Sequence, residues 1–151
     1  MDENELTKRA ARNNSANPFI RYNRIEVVDV RRDRAVLQLT IGPDSLNLYG
    51  FVHGGAIYAM ADNAAGCAVS TDGRTYVTQS SNMHFFRNRS EGTVRAEATI
   101  RHRGASTCLA TVDITAEDGT LLAEGEFSFF CIDRDRLMKK TGGPAGSAPE
   151  T

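Results

Sequence analysis

The sequence predicts an α+β fold in which one strongly curved antiparallel sheet of about six strands wraps around a single long helix. Three observations carry that prediction. The stretch from Gly54 to Thr71 is apolar at helical period and contains one charge, Asp62. Strand-like runs flank it, a pair before and a longer series after. The last runs of that series alternate apolar with polar residues and are joined by short turns, as in an antiparallel meander with one face buried.

In chain order, residues 1–16 are polar with weak helical potential and are expected to form a short, partly mobile helix. Asn17-Pro18-Phe19 then sets an extended or turning entry into the domain, because a residue preceding proline avoids the helical region. Ile25–Val30 reads as a first strand and Ala35–Ile41 as a second, with the turn at Arg31-Arg32-Asp33-Arg34. Gly42-Pro43-Asp44 stops the second strand, and a loop through Asn47 and Gly50 leads into the helix. There Ile57, Met60, Ala61, Ala64, Ala65, Ala68 and Val69 recur at helical spacing. The other side offers Gly55, Tyr58, Ala59, Asn63 and Gly66, so most of the circumference is expected to be covered. After a turn at Asp72-Gly73 come runs at Thr75–Phe86, Thr93–Arg103, Ser106–Ala116 and Leu121–Ile132. The domain is placed at residues 17–137, and residues 138–151 have the composition of a disordered tail.

Composition narrows the classes of function. A chain of 151 residues, 40% hydrophobic and 25% charged, suits one globular domain. A formal net charge of -1 leaves no excess of cations for a phosphate backbone, which argues against a general nucleic-acid binder. The N-terminus lacks the apolar core of a signal peptide and no run approaches a membrane span, so a cytoplasmic location without a membrane partner is expected. Cys67, Cys108 and Cys131 are widely spaced within apolar patterns and read as buried free thiols.

Asp62 is where chemistry is sought, because an ionised carboxylate on a covered helix is costly unless it is hydrogen-bonded or functional. His53-Gly54-Gly55 stands at the helix start. Free N–H groups there carry the positive end of the helix dipole and suit a carbonyl oxygen that gains negative charge. Asp62 follows Gly54 by eight positions, roughly 12 Å along a helix. Reacting groups must lie within about 3 Å of each other, so one chain cannot apply both groups to one substrate. If both serve one site, a homodimer combines the Gly54 end of one helix with Asp62 of the other. A second anomaly is Thr78, Gln79, Ser80, Ser81 and Asn82, which put polar side chains on both faces of a strand expected in the sheet interior. Thr78 or Ser80 could hold a water against Asp62, with Met83, Phe85 and Phe86 as apolar walls; a satisfied seam between subunits would also explain such polarity. No nucleophile triad and no metal or cofactor motif is present in the sequence: the cysteines lack a base, and His53, His84 and His102 are far apart.

Asn47, His53-Gly54-Gly55, Asp62-Asn63, the polar strand and Phe86-Arg87-Asn88 together closely resemble the hot-dog-fold acyl-CoA thioesterases. The similarity is to the PaaI-like branch (phenylacetate degradation, thioesterase superfamily member 2) and runs from about Asn17 to Ile132. It implies hydrolysis of an acyl-CoA thioester to free acid and CoA without a cofactor. Asp62 matches the general base or nucleophile, and Gly54 the residue whose N–H polarises the thioester carbonyl. Asn47 and His53 match residues that line the site, and Thr78 one that positions water. Gly55, Asn63, Ser80, Asn82 and Phe85 are implied as substrate contacts. Arg87, Arg89, Arg101 and Arg103 are candidates for the CoA phosphates, although Arg101 and Arg103 share the exposed parity of Glu97 and would look the same on a solvated face. The resemblance also implies homodimers with shared sites, commonly paired into tetramers as dimers of dimers.

A non-catalytic acyl-CoA-binding hot-dog module is the alternative, against which the retained Asp62 counts. A dehydratase would need an Asp and His pair placed for hydration, which the sequence lacks. The acyl group, aryl or fatty, and the choice of CoA or acyl carrier protein as thiol stay open at this level.

Overall fold

A computed structural model describes residues 1–132. The expected C-terminal tail, 138–151, lies outside the described residues, as does the end of the domain at 137. The element order is α1 (Glu3–Ala16), α2 (Pro18–Tyr22), β1 (Ile25–Arg31), β2 (Arg34–Thr40), α3 (Gly54–Val69), β3 (Thr75–Phe85), β4 (Thr93–Arg103), β5 (Thr107–Ala116) and β6 (Leu121–Ile132). The strands form one antiparallel sheet of 6 in the order β1-β2-β4-β5-β6-β3.

Alternation along the strands explains how the sheet holds α3. Ala35, Leu37 and Leu39 of β2, Val94, Ala96 and Ala98 of β4, Cys108, Ala110, Val112 and Ile114 of β5, and Phe127 and Phe129 of β6 are all buried on the face turned to the helix. They meet Ile57, Met60, Ala61, Ala64, Ala65, Ala68 and Val69 of α3. Alanine along both surfaces lets the backbones come close, and the apolar area removed from water, at about 25 cal/mol per Å², is the main force holding α3 in the sheet. The outward face carries Arg95, Glu97, Asp113, Glu124 and Glu126.

Two features differ from the sequence expectation. Residues 3–16 form a continuous helix, with Asp2 accepting a hydrogen bond from the Glu5 N–H at 2.8 Å and Leu6 and Asn14 buried. The expected extended or turning entry is kept: Asn17 is extended and caps a short helix over 18–22, in which Pro18 occupies the first position, where a missing N–H costs nothing. Most consequential, β3 lies at the edge of the sheet instead of its interior, pairing with β6 alone. No helix among the described residues is long and apolar enough to cross a membrane.

Candidate active site

His53 begins α3 as its N-cap, its Nδ1 accepting a hydrogen bond from the Gly55 N–H at 2.8 Å. With Nδ1 accepting, Nε2 is the nitrogen of the exposed imidazole left to carry the N–H. Among the described residues the Gly54 N–H joins no hydrogen bond, as expected of an orphan donor at a helix start. The Phe85 ring of β3 lies over Gly54, close enough that an added Cβ would meet it at 3.6 Å. The segment after β3 is tied to the same point, since Val52 N–H donates to the Arg89 carbonyl at 2.8 Å and Asn88 donates to the Val52 carbonyl at 3.2 Å. Arg87, in that segment, is exposed and forms no ion pair among the described residues.

Asn47 shapes the loop before the helix. Its side-chain oxygen accepts from the N–H groups of Tyr49 at 2.9 Å and Phe51 at 3.1 Å, so this oxygen is engaged in the loop and the amide NH2 remains to donate. The loop tip exposes Leu48, Tyr49 and Phe51.

Two turns along α3, the half-buried Asp62 accepts a hydrogen bond through Oδ1 from the Thr78 hydroxyl at 2.7 Å. Between the two ends the Tyr58 hydroxyl meets Ser81, and the Tyr58 ring packs edge-on against Phe127, with centroids 5.7 Å apart. Gly54, Tyr58 and Asp62 share one helix face at four-residue intervals, and Phe85, Ser81 and Thr78 of β3 stand opposite.

Two bulges redirect other expected residues. The register of β3 against β6 shifts between Thr78 and Ser80, so Thr78 and Ser81 face the helix while Ser80 and Asn82 face outward beside Ser128 and Glu126. A one-residue bulge exchanges the faces of everything beyond it. The same happens in β4 between Ile100 and His102. Arg101 remains exposed on the outer side, but Arg103 turns inward opposite Cys108. There its guanidinium donates to Asp72 at 2.8 Å, Asp33 at 2.8 Å and the Val69 carbonyl at 2.9 Å. With its donors bound inside the chain and its side chain 14% exposed, Arg103 closes the far end of α3 and is not placed for CoA phosphates. Asn63 likewise turns from Asp62 and exchanges two hydrogen bonds with Asn14 of α1, at 2.7 and 3.3 Å.

Burial alone would raise the Asp72 pKa, yet hydrogen bonds from Tyr76 and Arg74 and the charge of Arg103 outweigh it and hold the carboxyl at about 2. Burial pushes the Cys67 thiol up to about 12, only partly offset by Arg9, so the thiol stays protonated and unreactive. Cys108 is buried, while Cys67 and Cys131 are half-buried; all are free. Among the described residues, no group of three or more His, Cys, Asp and Glu side chains is placed to hold a metal ion.

Ser81 and Tyr58 were missed in the sequence as site residues. The four-residue spacing of Tyr58 from both Gly54 and Asp62 was the available signal.

Comparison with known proteins gives this arrangement its family. The Thioesterase superfamily model matches residues 49–123. A 1,4-dihydroxy-2-naphthoyl-CoA hydrolase of Listeria monocytogenes is 33% identical over 119 residues, which cover 77% of this chain and 90% of the relative. The acyl-coenzyme A thioesterase PaaI of Escherichia coli is 27% identical over 100 residues, 66% of this chain and 71% of that one. Among solved structures, a mutant of the phenylacetic acid degradation protein PaaI of Thermus thermophilus superposes with a TM-score of 0.73 at 31% identity, covering 77% of this chain and 100% of that one. The chain belongs to the thioesterase superfamily, within the PaaI-like branch of the hot-dog fold. That branch is a class of thioester hydrolases.

Proposed function

We propose that the protein hydrolyses an acyl-CoA thioester, aryl or fatty, to the free acid and CoA, at sites shared between two chains. The observation that carries this reading is the Thr78 hydroxyl bound to Asp62 two helical turns from the open Gly54 N–H. In each site the Gly54 N–H of one chain polarises the thioester carbonyl, and the partner's Asp62 acts on its carbon. Asp62 works as general base or as nucleophile. As base, it takes a proton from water, the water oxygen bonds to the carbonyl carbon, and the electron pair moves to the oxygen held by Gly54. The C–S bond then breaks, and the CoA sulfur leaves and takes up a proton. Thr78 fixes the carboxylate and aims its second oxygen at the water, while Nε2–H of His53 and the amide of Asn47 face the thioester and the leaving sulfur. Arg87, near the Gly54 end, is the candidate for the CoA phosphates.

The dimer is supported by the edge of β3, a strand of 11 residues with mostly exposed side chains. Such an edge invites another strand, and Val77, Phe85 and Phe86 expose apolar surface along it.

The test is thiol release from a panel of aryl- and fatty-acyl-CoAs. Asp62→Asn is expected to lose about a thousandfold in kcat; an unchanged rate would remove Asp62 from the mechanism. Mixing Asp62→Asn chains with Gly54→Pro chains tests the sharing. Random exchange places one intact site in half of the dimers, so about a quarter of wild-type activity should return. No recovery after proven exchange would reject the shared site.

A further inference from the structure

We propose that Tyr58 and the partner's Tyr58 form the wall between the two acyl pockets of the dimer and set the length of acyl group that each accepts. This inference rests on the shared-site reading and follows from its symmetry. In a two-fold interface, residue i meets residue j and j meets i. If Gly54 of one helix lies opposite the partner's Asp62, the two helices run antiparallel, and the residue midway along that span faces its own copy. The midpoint of Gly54 and Asp62 is Tyr58. It stands one turn, about 6 Å, from each reacting end.

The surroundings of Tyr58 make it a fixed wall. Its hydroxyl is held by Ser81 from the edge strand, and its ring meets Phe127 edge-on at 5.7 Å and 72°. The ring is thereby held from the sheet edge and from the core, and rotation would break both contacts. Its neighbours at the same phase of the helix are Gly54, which has no side chain, and the shorter Asp62, so Tyr58 is the largest side chain on this face. An acyl chain whose carbonyl is bound at Gly54 and that runs along the helix face toward the axis meets the ring after one turn.

The test compares kcat/KM for short-, medium- and long-chain acyl-CoAs. Tyr58→Ala is expected to raise the ratio of long-chain to short-chain kcat/KM by about tenfold, since each methylene admitted to a fitted pocket changes discrimination by about that factor. Ser81→Ala frees the ring without removing it and should move the ratio the same way by less. Tyr58→Cys should be joined into a covalent dimer by a short bismaleimide under conditions that leave the wild type, with Cys67, Cys108 and Cys131 free, uncrosslinked. An unchanged chain-length profile in Tyr58→Ala, an equal loss on every substrate, or an active Tyr58→Cys enzyme that the bismaleimide does not join each overturns the wall. Should Tyr58→Ala fail to fold, Tyr58→Leu is judged by the same ratio. The mixed-chain experiment separates the two ideas: recovered activity with an unchanged profile removes the wall and leaves the shared site, and absent recovery removes both.

Discussion

The two ends of α3 are built in opposite ways. At its C-terminal end, Arg103 from β4 donates to the carbonyl of Val69, and Asp72, Asp33, Tyr76 and Arg74 surround the guanidinium. The charge lies where the helix dipole is negative, and the cluster meets its own hydrogen-bonding needs. At the N-terminal end, His53 satisfies only the Gly55 N–H, and that of Gly54 joins no bond within the described residues. The Phe85 ring beside Gly54 is apolar and offers no hydrogen bond. A chain able to bring an arginine from a distant strand to complete one end has left the other end incomplete. The difference separates a helix end closed by its own chain from one whose N–H stays open, the group that the proposed reaction would use.

The largest effect that sharpens this contrast is at the open end. Gly54 is the first residue of α3, and His53 before it is extended at φ -66, ψ 134. Proline is favoured at a first helical position and needs an extended residue before it, so Gly54→Pro should leave the melting temperature nearly unchanged. It deletes one N–H and should lower kcat by about 10²–10³-fold. A large fall in melting temperature would show that Gly54 serves the fold. At the closed end the pattern should invert. Arg103→Ala leaves Asp72, whose side chain is 7% exposed, to Arg74 and Tyr76 alone and strips the Val69 carbonyl of its guanidinium donor; it should cost about 1–3 kcal/mol in denaturant unfolding, with kcat/KM unchanged well below the melting temperature.

How much of this was legible in the sequence depends on which rule governed each residue. Period alone placed α3 and the inner faces of β4, β5 and β6, because burial on one face imposes it. The contact of Asp62 was legible from cost: one carboxylate on an otherwise apolar helix needs a partner, and Thr78, which binds it, was among the candidates. The faces taken by Ser80, Asn82 and Arg103 were not legible, for one shared reason. Each follows a bulge, and an extra residue in a strand reverses the parity of everything after it while leaving no mark in an alternation count. The polarity of β3 on both faces was noticed, but the position of β3 at the edge, which explains it, depends on strand order. The pairing of Asn63 with Asn14 depends on packing between α1 and α3, distant in sequence. At α1 a signal was present and unused: Asp2 and Glu5 have the spacing of a helix-start box, and Asp2 does cap it.

A pH titration of stability examines the closed end alone. Asp72 is held at about 2 in the folded chain and returns to about 3.9 when unfolded. A depressed folded value means that its contribution is fully present above the unfolded pKa and is lost as pH falls through the folded one. The wild type should therefore lose stability relative to Asp72→Asn between about pH 4 and pH 2, measured as denaturant midpoints. If the difference between the two proteins stays constant across that window, the carboxylate does not carry the charge assigned to it.

The smallest expected effect falls on His53, which links the open end to the fold. Its Nδ1 satisfies the Gly55 N–H, so His53→Ala should remove a cap worth about 1 kcal/mol, and His53→Asn should restore most of it by supplying an acceptor oxygen. Activity should respond differently. Both substitutions delete the outward Nε2–H, so Asn should rescue the melting temperature without rescuing kcat to the same degree. If Asn restores both equally, His53 serves only as a cap, and the open end of α3 offers the substrate its Gly54 N–H without help from the imidazole.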